Sequence, residues 1–226
     1  MNSHCQYLRS DIFYNFAIKK AKIGCASVIV KACFLRLHST GTISVSYYTN
    51  RMKKLKVEEL NRVTPSEYAN VEKIRLSVVL DNVRSLNNIG SVFRTSDAFL
   101  VEKIYLCGIS ATPPSAEIHK TALGAEDTVE WEYVEDTAAL VERLKNAGYT
   151  VFAVEQTENS TFLNQLQPDR AKSYAVVLGN EVKGVQQSVV DLCDSSIEIP
   201  QFGTKHSLNV SVAAGIVIWQ MFTLLR

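Results

Sequence analysis

Short apolar runs alternate with helically spaced apolar residues from residue 76 onward. The runs predict strands at residues 76–80, 103–107, 129–134, 149–154, 174–178 and 196–199. The intervening periodicity predicts helices at residues 88–100, 136–147, 185–193 and 207–225. Strands that are apolar throughout and separated by helices indicate a mostly parallel sheet covered on both faces. We therefore expect an α/β fold with a mostly parallel six-stranded sheet flanked by helices.

The helix at 136–147 has the clearest boundaries. Asp136 is a favourable N-cap, and Gly148 is a favourable stop. The apolar stripe between them consists of Leu140, Val141 and Leu144. This helix should therefore pack one face on the sheet.

The last helix raises a membrane question, because residues 208–225 form an 18-residue, mostly apolar stretch near the lower limit for a span. Asn209, Ser211, Gln220 and Thr223 interrupt it. A helix that is apolar nearly all round is typically buried. We therefore favour burial between the sheet and a partner subunit, and no membrane association.

Charge is divided unevenly along the 226 residues. Residues 1–51 carry seven basic residues and one acidic residue, a net +6, whereas residues 52–226 carry 17 basic and 22 acidic residues, a net −5. Three interpretations of 1–51 stay open: translation from an upstream start before the true start at Met52, an organelle transit peptide, or a genuine extra element. We expect 1–51 to lie outside the fold, 52–75 to be a connecting segment and 76–226 to form the main domain.

The five Cys and four His show no metal-ligand spacing, so no metal site is expected. In parallel sheets, ligands bind beyond the carboxyl ends of the strands. The segments to inspect therefore follow Leu80, Val154, Leu178 and Ile199, and each is polar or glycine-rich.

The first candidate cluster spans residues 81–99. Asn87 or Asn88 is expected to open a helix, Gly90 permits a close backbone approach, and Arg94 lies near the second turn. One interpretation is an Asn cap beside a surface arginine. The other is an anion or hydroxyl site at a helix N-terminus, with Arg94 reaching a phosphate.

The second cluster spans residues 176–185. Gly179 and Gly184 have P-loop spacing, but Val185 and Gln186 stand where a P-loop needs Lys and Ser/Thr. A nucleoside triphosphate site is therefore disfavoured. The loop either holds an adenosine group through its backbone or is a simple turn capped by Asn180 or Glu181.

The third cluster spans residues 197–219. Pro200 ends a strand, Gly203 allows a turn, and Ser207 is expected to cap the last helix. Asn209 would then lie in the first helical turn, where a buried amide needs partners. It either ties loops together or lines a site.

These three clusters, in this order and with the string Ser-Leu-Asn-Val-Ser-Val at 207–212, resemble the three motifs of the SpoU/TrmH family of RNA 2′-O-ribose methyltransferases in the SPOUT superfamily. The resemblance covers about residues 76–222. Short strings at 153–157, 178–181, 198–203 and 207–210 are also similar to the catalytic domain of eukaryotic tRNA guanosine-18 2′-O-methyltransferases. The resemblance implies a C-terminal trefoil knot, a homodimer and S-adenosylmethionine as methyl donor. It implies RNA as substrate, with tRNA favoured over rRNA. We expect a cytoplasmic location, because an odd, unpatterned number of Cys fits a reducing compartment.

Matching the motifs position by position also implies site residues. The catalytic candidates are Arg94, Asn88, Glu181, Ser207 and Asn209. The cofactor-binding candidates are Leu178, Gly179, Ile199, Gln201, Leu208 and Asn209. Gln201 departs from the family, because many bacterial members carry Met there.

The expected reaction needs a ribose hydroxyl positioned in line with a sulfonium methyl group, and no metal. Arg94 carries a guanidinium that stays protonated at neutral pH, so we favour a role in orienting the ribose and stabilising the developing alkoxide. Whether it also takes the proton stays open. An inactive RNA-binding relative is the alternative function. A dinucleotide-dependent oxidoreductase is disfavoured, because no Gly-x-Gly-x-x-Gly follows Leu80.

Overall fold

The computed structural model describes residues 33–37, 43–47 and 52–226. The chain divides into two compact units, residues 1–62 and 63–226. In the first unit, β1 (Cys33–Leu37) and β2 (Ile43–Tyr47) pair antiparallel, and Val57–Leu60 forms a 3₁₀ turn. Most of 1–51 lies outside the described residues, so the domain boundaries stay predictions.

The second unit contains a parallel sheet of seven strands. They are β3 (Ile74–Asp81), β4 (Val101–Cys107), β5 (Trp131–Val134), β6 (Tyr149–Val154), β7 (Thr161–Phe162), β8 (Ser173–Leu178) and β9 (Ser195–Glu198). Their spatial order is β5-β4-β3-β8-β6-β9-β7, and every pairing is parallel. The prediction of an α/β fold with a parallel sheet is confirmed. The count of six was wrong, because the two residues of β7 are too few to show a strand pattern.

Helices cover both faces of the sheet. They are α1 (Pro65–Tyr68), α2 (Leu86–Ala98), α3 (Ala116–Ala122), α4 (Thr137–Asn146), α5 (Gln187–Val190) and α6 (Val210–Leu225). Alternate residues of the strands point to opposite faces. In β3, Leu76, Val78 and Leu80 pack in a core with α2, α3 and α6, whereas Val79 packs in a second core with α4.

Two helices begin elsewhere than the sequence predicted. Helix α2 begins at Leu86 and is capped by Ser85, whose hydroxyl accepts the Asn88 N–H. Helix α6 begins at Val210 and is capped by Asn209, so neither a Ser207 cap nor an Asn209 inside the first turn is correct. Side-chain oxygens compete for the same exposed N–H groups, and the backbone dihedrals decide which one caps.

Helix α5 is shorter than predicted, and α3 was missed although Ser115 caps it. Helix α4 agrees with its prediction, with Asp136 accepting the Ala138 and Ala139 N–H groups and Gly148 at φ +87° after its end. Within the described ranges, no helix is long and apolar enough to cross a membrane. The trefoil knot stays a prediction.

Candidate active site

A cavity of about 650 Å³ lies beyond the ends of three neighbouring strands, β6, β8 and β9. Val154, Leu178 and Glu198, the last residues of these strands, line it. We call this side of the sheet, where the strands end, the carboxyl edge. The sequence placed a ligand beyond Val154, Leu178 and Ile199, and the cavity opens there.

Three segments that are distant in sequence form the walls of this cavity. Every candidate for cofactor binding lines it: Leu178, Gly179, Ile199, Gln201, Leu208 and Asn209. Glu181 and Ser207, two of the catalytic candidates, line it as well. Asn88 and Arg94 do not belong to the lining. The fold thus brings the second and third sequence clusters together around one space.

Gly179 forms a part of the wall that no side chain could occupy. A Cβ atom on Gly179 would lie 2.1 Å from both the Gly184 carbonyl carbon and the Val185 nitrogen. Asn180 and Gly184 exchange two backbone hydrogen bonds, 3.0 and 2.9 Å long, and Gly184 has a φ of +67°. This wall therefore consists of backbone, as a loop that binds a ligand through peptide groups requires.

Glu155 holds the same loop from the neighbouring strand. Its Oε1 accepts the Val185 N–H at 2.7 Å, and a Cβ on Gly184 would lie 2.2 Å from that oxygen. Sequence reasoning did not single out Glu155. The signal was present, because Glu155 is the first polar residue after the apolar strand that ends at Val154.

Glu181 joins the second cluster to the first. Its Oε2 accepts the Arg84 N–H at 3.0 Å, and its Oε1 accepts the Ser85 N–H at 3.0 Å and the Asn88 Nδ2 at 3.1 Å. Burial raises the pKa of this carboxyl, but the hydrogen bonds from Arg84, Ser85 and Asn88 outweigh it, and the pKa lies below its usual value. Glu181 therefore fixes the entry into α2 as a carboxylate.

Asn209 completes the connection. Its Oδ1 accepts the Ser211 and Val212 N–H groups at 2.9 and 3.3 Å, and its Nδ2 donates to the Asn88 Oδ1 at 3.2 Å. Asn88 thus bonds both Glu181 and Asn209. One hydrogen-bonded chain, Glu181–Asn88–Asn209, ties together all three sequence clusters.

Arg94 lies six residues after Asn88 on α2, which corresponds to roughly 9 Å along the helix axis. Its side chain is exposed and makes no hydrogen bond or ion pair within the described part of the chain. The guanidinium is therefore available to a ligand that arrives from solution. Among the described residues, no three His, Cys, Asp or Glu side chains form a group that could hold a metal.

Comparison with known proteins assigns this architecture to a family. Residues 75–219 match the model of the SpoU rRNA methylase family. The chain belongs to this family. The 23S rRNA (guanosine-2′-O-)-methyltransferase of Neisseria meningitidis serogroup B is 32% identical over 149 residues, which cover 66% of this chain and 58% of that relative.

Two solved structures are also similar to this chain. The A. aeolicus TrmH/SpoU tRNA modifying enzyme superimposes with a TM-score of 0.63 and 27% identity, over 71% of this chain and 81% of that one. The AdoMet-bound rRNA methyltransferase from Sinorhizobium meliloti gives a TM-score of 0.63 and 26% identity, over 73% and 62%. This chain spans less than two thirds of the Neisseria and Sinorhizobium proteins.

In this SpoU family member, a fully buried carboxylate helps to hold the loop that lines the cavity. Asp81, the last residue of β3, accepts the Thr137 hydroxyl at 2.6 Å and the Gln186 N–H at 3.2 Å. The carbonyl of the next residue, Asn82, accepts the Asn180 Nδ2 at 2.8 Å. The loop that contains Gly179 and Gly184 is thus fixed to the end of β3 at both Asn180 and Gln186. Sequence reasoning missed this role of Asp81.

Proposed function

We propose that this protein transfers a methyl group from S-adenosylmethionine to a ribose 2′-OH of RNA, with tRNA as the favoured substrate. One observation carries the proposal. All six cofactor candidates, which come from the second and third sequence clusters of a SpoU family chain, line a single cavity at the carboxyl edge. The relatives named as an rRNA guanosine-2′-O-methyltransferase and as an AdoMet-bound enzyme support both the reaction and the cofactor.

The cavity fits the cofactor in size and in character. Its volume of about 650 Å³ lies within the usual range for small-molecule sites. The Gly179 wall offers peptide groups to an adenosine, and the carboxylates of Glu155 and Glu198 line the space. Carboxylates nearby favour a cationic ligand. When bound, S-adenosylmethionine would supply an electrophilic methyl group on its sulfonium, held by residues 178–179, 199–201 and 208–209.

The residues of the chain would then position the ribose hydroxyl and stabilise the charge that develops on its oxygen. We assign this role to Arg94, whose exposed guanidinium offers a planar set of donors to a ribose oxygen and an adjacent phosphate. We assign Glu181 and Asn88 a positioning role, because their hydrogen bonds fix the start of the helix that carries Arg94. Asn209 and Ser207 would complete the wall where ribose meets methyl donor.

The choice of tRNA is supported by the A. aeolicus TrmH/SpoU tRNA modifying enzyme, which is 27% identical to this chain and superimposes with a TM-score of 0.63. An rRNA substrate is the alternative, and the identity of the methylated RNA separates the two.

We also propose that the protein acts as a homodimer through α6. Trp219 is 52% exposed and Ile216 is 38% exposed. The Trp219 ring lies 5.3 Å from that of Phe99 and 6.0 Å from that of Phe222, measured between centroids. An exposed aromatic cluster beside further apolar residues is typical of a protein interface.

Two measurements test the reaction. Calorimetry should show one S-adenosylmethionine site for each chain. Transfer of a labelled methyl group to unmodified tRNA transcripts or rRNA, followed by nucleoside mass spectrometry, should show a 2′-O-methylated nucleoside. Binding without transfer to any RNA would favour the inactive relative instead, and a base-methylated product would refute the 2′-O assignment.

The role of Arg94 has a test of its own. Arg94→Ala should lower transfer by about 10²-fold or more while the dissociation constant for S-adenosylmethionine stays unchanged, because Arg94 does not line the cavity. Arg94→Lys should rescue poorly, since a point charge cannot replace a planar fork. Leu208→Arg is the converse variant and should block cofactor binding itself. Full transfer by Arg94→Ala would show that Arg94 is only a surface residue.

A further inference from the structure

A second cavity, of about 390 Å³, lies at the opposite side of the sheet, where the strands begin. We call this side the amino edge. Residues 71–75, Leu100, Arg170 and residues 225–226 line the cavity. Its side chains comprise four cations and one carboxylate, that of Glu72, around an apolar floor. The site lies roughly 20–25 Å along the strands from the cofactor cavity, as the eight residues of β3 imply.

Backbone carbonyl groups hold the side chains of both Arg75 and Arg170 in place. Arg75 Nη1 donates to the Ala171 carbonyl at 2.6 Å, and Arg170 Nε donates to the Leu224 carbonyl at 2.9 Å. Each bond uses one donor of a guanidinium that has several, so most of the donors stay unpaired. The side chains are therefore oriented in advance but not saturated.

The other two cations lie against aromatic rings. Lys73 donates to the Tyr68 and Val71 carbonyl groups and lies 3.7 Å from the centroid of the Tyr68 ring. The Arg226 guanidinium lies 5.4 Å from the centroid of the Phe222 ring. Burial lowers the pKa of Lys73, against the opposing influence of Asp97 and Glu130. A bound anion would offset that cost.

Glu72 is the one side-chain carboxylate among the described residues that line the cavity, and it forms no ion pair with these cations. Within the described residues, none of Lys73, Arg75, Arg170 and Arg226 forms an ion pair, although Lys53, Lys103, Arg143 and Lys145 elsewhere do. Four cations around one small cavity repel each other, and a bound anion would relieve that repulsion. Guanidinium groups with unpaired donors match the oxygen geometry of phosphate.

We propose that this cavity is a second anion site, specific for phosphate oxygens, and that it holds a backbone phosphodiester of the RNA substrate away from the methyl-transfer cavity. The inference rests on the proposed function for its RNA, because RNA is the phosphate-bearing partner of such an enzyme. The methyl-transfer cavity accepts one nucleotide, whereas this site anchors another part of the same molecule. It thereby contributes affinity without taking part in the reaction.

The test compares wild type with Arg75→Gln/Arg170→Gln. An unmodified tRNA transcript is bound at a series of KCl concentrations, and the slope of log K against log salt is measured. Losing two phosphate contacts should reduce the magnitude of the slope by about 1.4–1.8 and weaken RNA binding on the order of 10-fold at moderate salt. In transfer assays, KM for RNA should rise while kcat stays unchanged.

Arg143→Gln/Lys145→Gln is the matched control. It removes the same charge from α4, where both cations already pair with carboxylates, Glu132 and Asp194. Its slope should equal that of wild type. If the Arg75/Arg170 double variant does not fold, the single Arg170→Gln carries the test, with a slope change of about 0.7–0.9.

The source of the phosphate is decided separately by titrating inorganic phosphate into wild type and the double variant at constant ionic strength. The proposal is supported if the Arg75/Arg170 double variant shows weaker RNA binding and a smaller salt slope than wild type, while the Arg143/Lys145 control shows neither change. An unchanged slope overturns it, even if inorganic phosphate binding is lost, because the site would then serve a free anion. Failure of wild type to bind S-adenosylmethionine or to transfer methyl groups would refute the proposed function and leave the RNA-binding measurement intact.

Discussion

Charged side chains form hydrogen bonds to backbone groups at both edges of the sheet, but these side chains are negative at one edge and positive at the other. At the carboxyl edge, the carboxylates of Asp81, Glu155 and Glu181 accept backbone N–H groups from the loops around the cofactor cavity. At the amino edge, Arg75 and Arg170 donate to backbone carbonyl groups instead. Carboxylates thus fix the backbone at the carboxyl edge, and arginines fix it at the amino edge.

The difference follows from the direction of the chain. Each crossover helix in a parallel sheet starts near the carboxyl edge and ends near the amino edge. Unpaired N–H groups and the positive end of the helix dipole therefore collect at the first, and unpaired carbonyl groups collect at the second. Glu181 at the start of α2 and Arg170 at the end of α6 are examples. Burial differs too, because Asp81 is fully buried whereas Arg75 and Arg170 are exposed.

The largest difference in stability should come from replacing one charged side chain with Ala at each edge. Asp81→Ala leaves the buried Thr137 hydroxyl and the part-buried Gln186 N–H without their partner, and it should lower the free energy of unfolding by about 3 kcal/mol. Arg75→Ala should cost less than about 1 kcal/mol, because water replaces its exposed contact. Urea unfolding measures both. Equal losses would contradict the distinction between a buried and an exposed edge.

A smaller change at the carboxyl edge should disturb the cofactor loop. Gly179→Ala forces the loop away from Gly184 and Val185, and it should weaken S-adenosylmethionine binding roughly 10- to 100-fold by calorimetry. Gly203→Ala is the matched control, because a Cβ on Gly203 meets no atom within 4 Å. If both variants bound the cofactor like wild type, the backbone wall would not be a binding element.

Helix α6 links the edges, since Asn209 lines the cofactor cavity and Leu225 lines the anion cavity. Trp219→Glu places a charge in its exposed apolar patch, which should weaken the proposed dimer at least about 10-fold. Light scattering over a dilution series measures the change. A dimer as tight as that of wild type would show that the interface lies elsewhere.

The edges should also differ in their response to acid. The lowered pKa of Glu181 means that its carboxylate stabilises the fold above the usual glutamate pKa of 4.5, and this contribution is lost as the pH falls through the lowered value. The difference in unfolding free energy between wild type and Glu181→Gln should therefore shrink from pH 7 to about pH 3.5. Arg170→Gln should show no such change, because a guanidinium stays charged throughout. A constant difference for Glu181→Gln would refute the carboxylate's role.

The smallest effect is expected from removing the basic segment 1–51. A chain that starts at Met52 should fold and bind S-adenosylmethionine like the full chain, because every residue of both cavities lies after residue 70. Circular dichroism and calorimetry check this. Loss of folding would make 1–51 a genuine part of the protein.

Much of the cofactor cavity could be predicted from the sequence, because strands with continuous apolar character reveal where they end. Leu178 and Ile199 were placed at such ends, and both line the cavity. The helix caps were less predictable, since Ser85 and Asn209 compete with neighbouring polar residues for the same N–H groups. The segment after Val154 could be selected for inspection, but the role of Glu155 depends on a contact with Val185, 30 residues away in sequence.

The sequence by itself determined six of the seven strands of the sheet and where polar residues follow them, because hydrophobic periodicity records burial residue by residue. Only the tertiary structure decided the strand order, and with it the contacts of Asn88 with Glu181 and Asn209, which are 93 and 121 residues away. It likewise decided that Arg75 and Arg170 share a cavity. Such contacts depend on which strands pair, and periodicity within one segment contains no information about its neighbours in space.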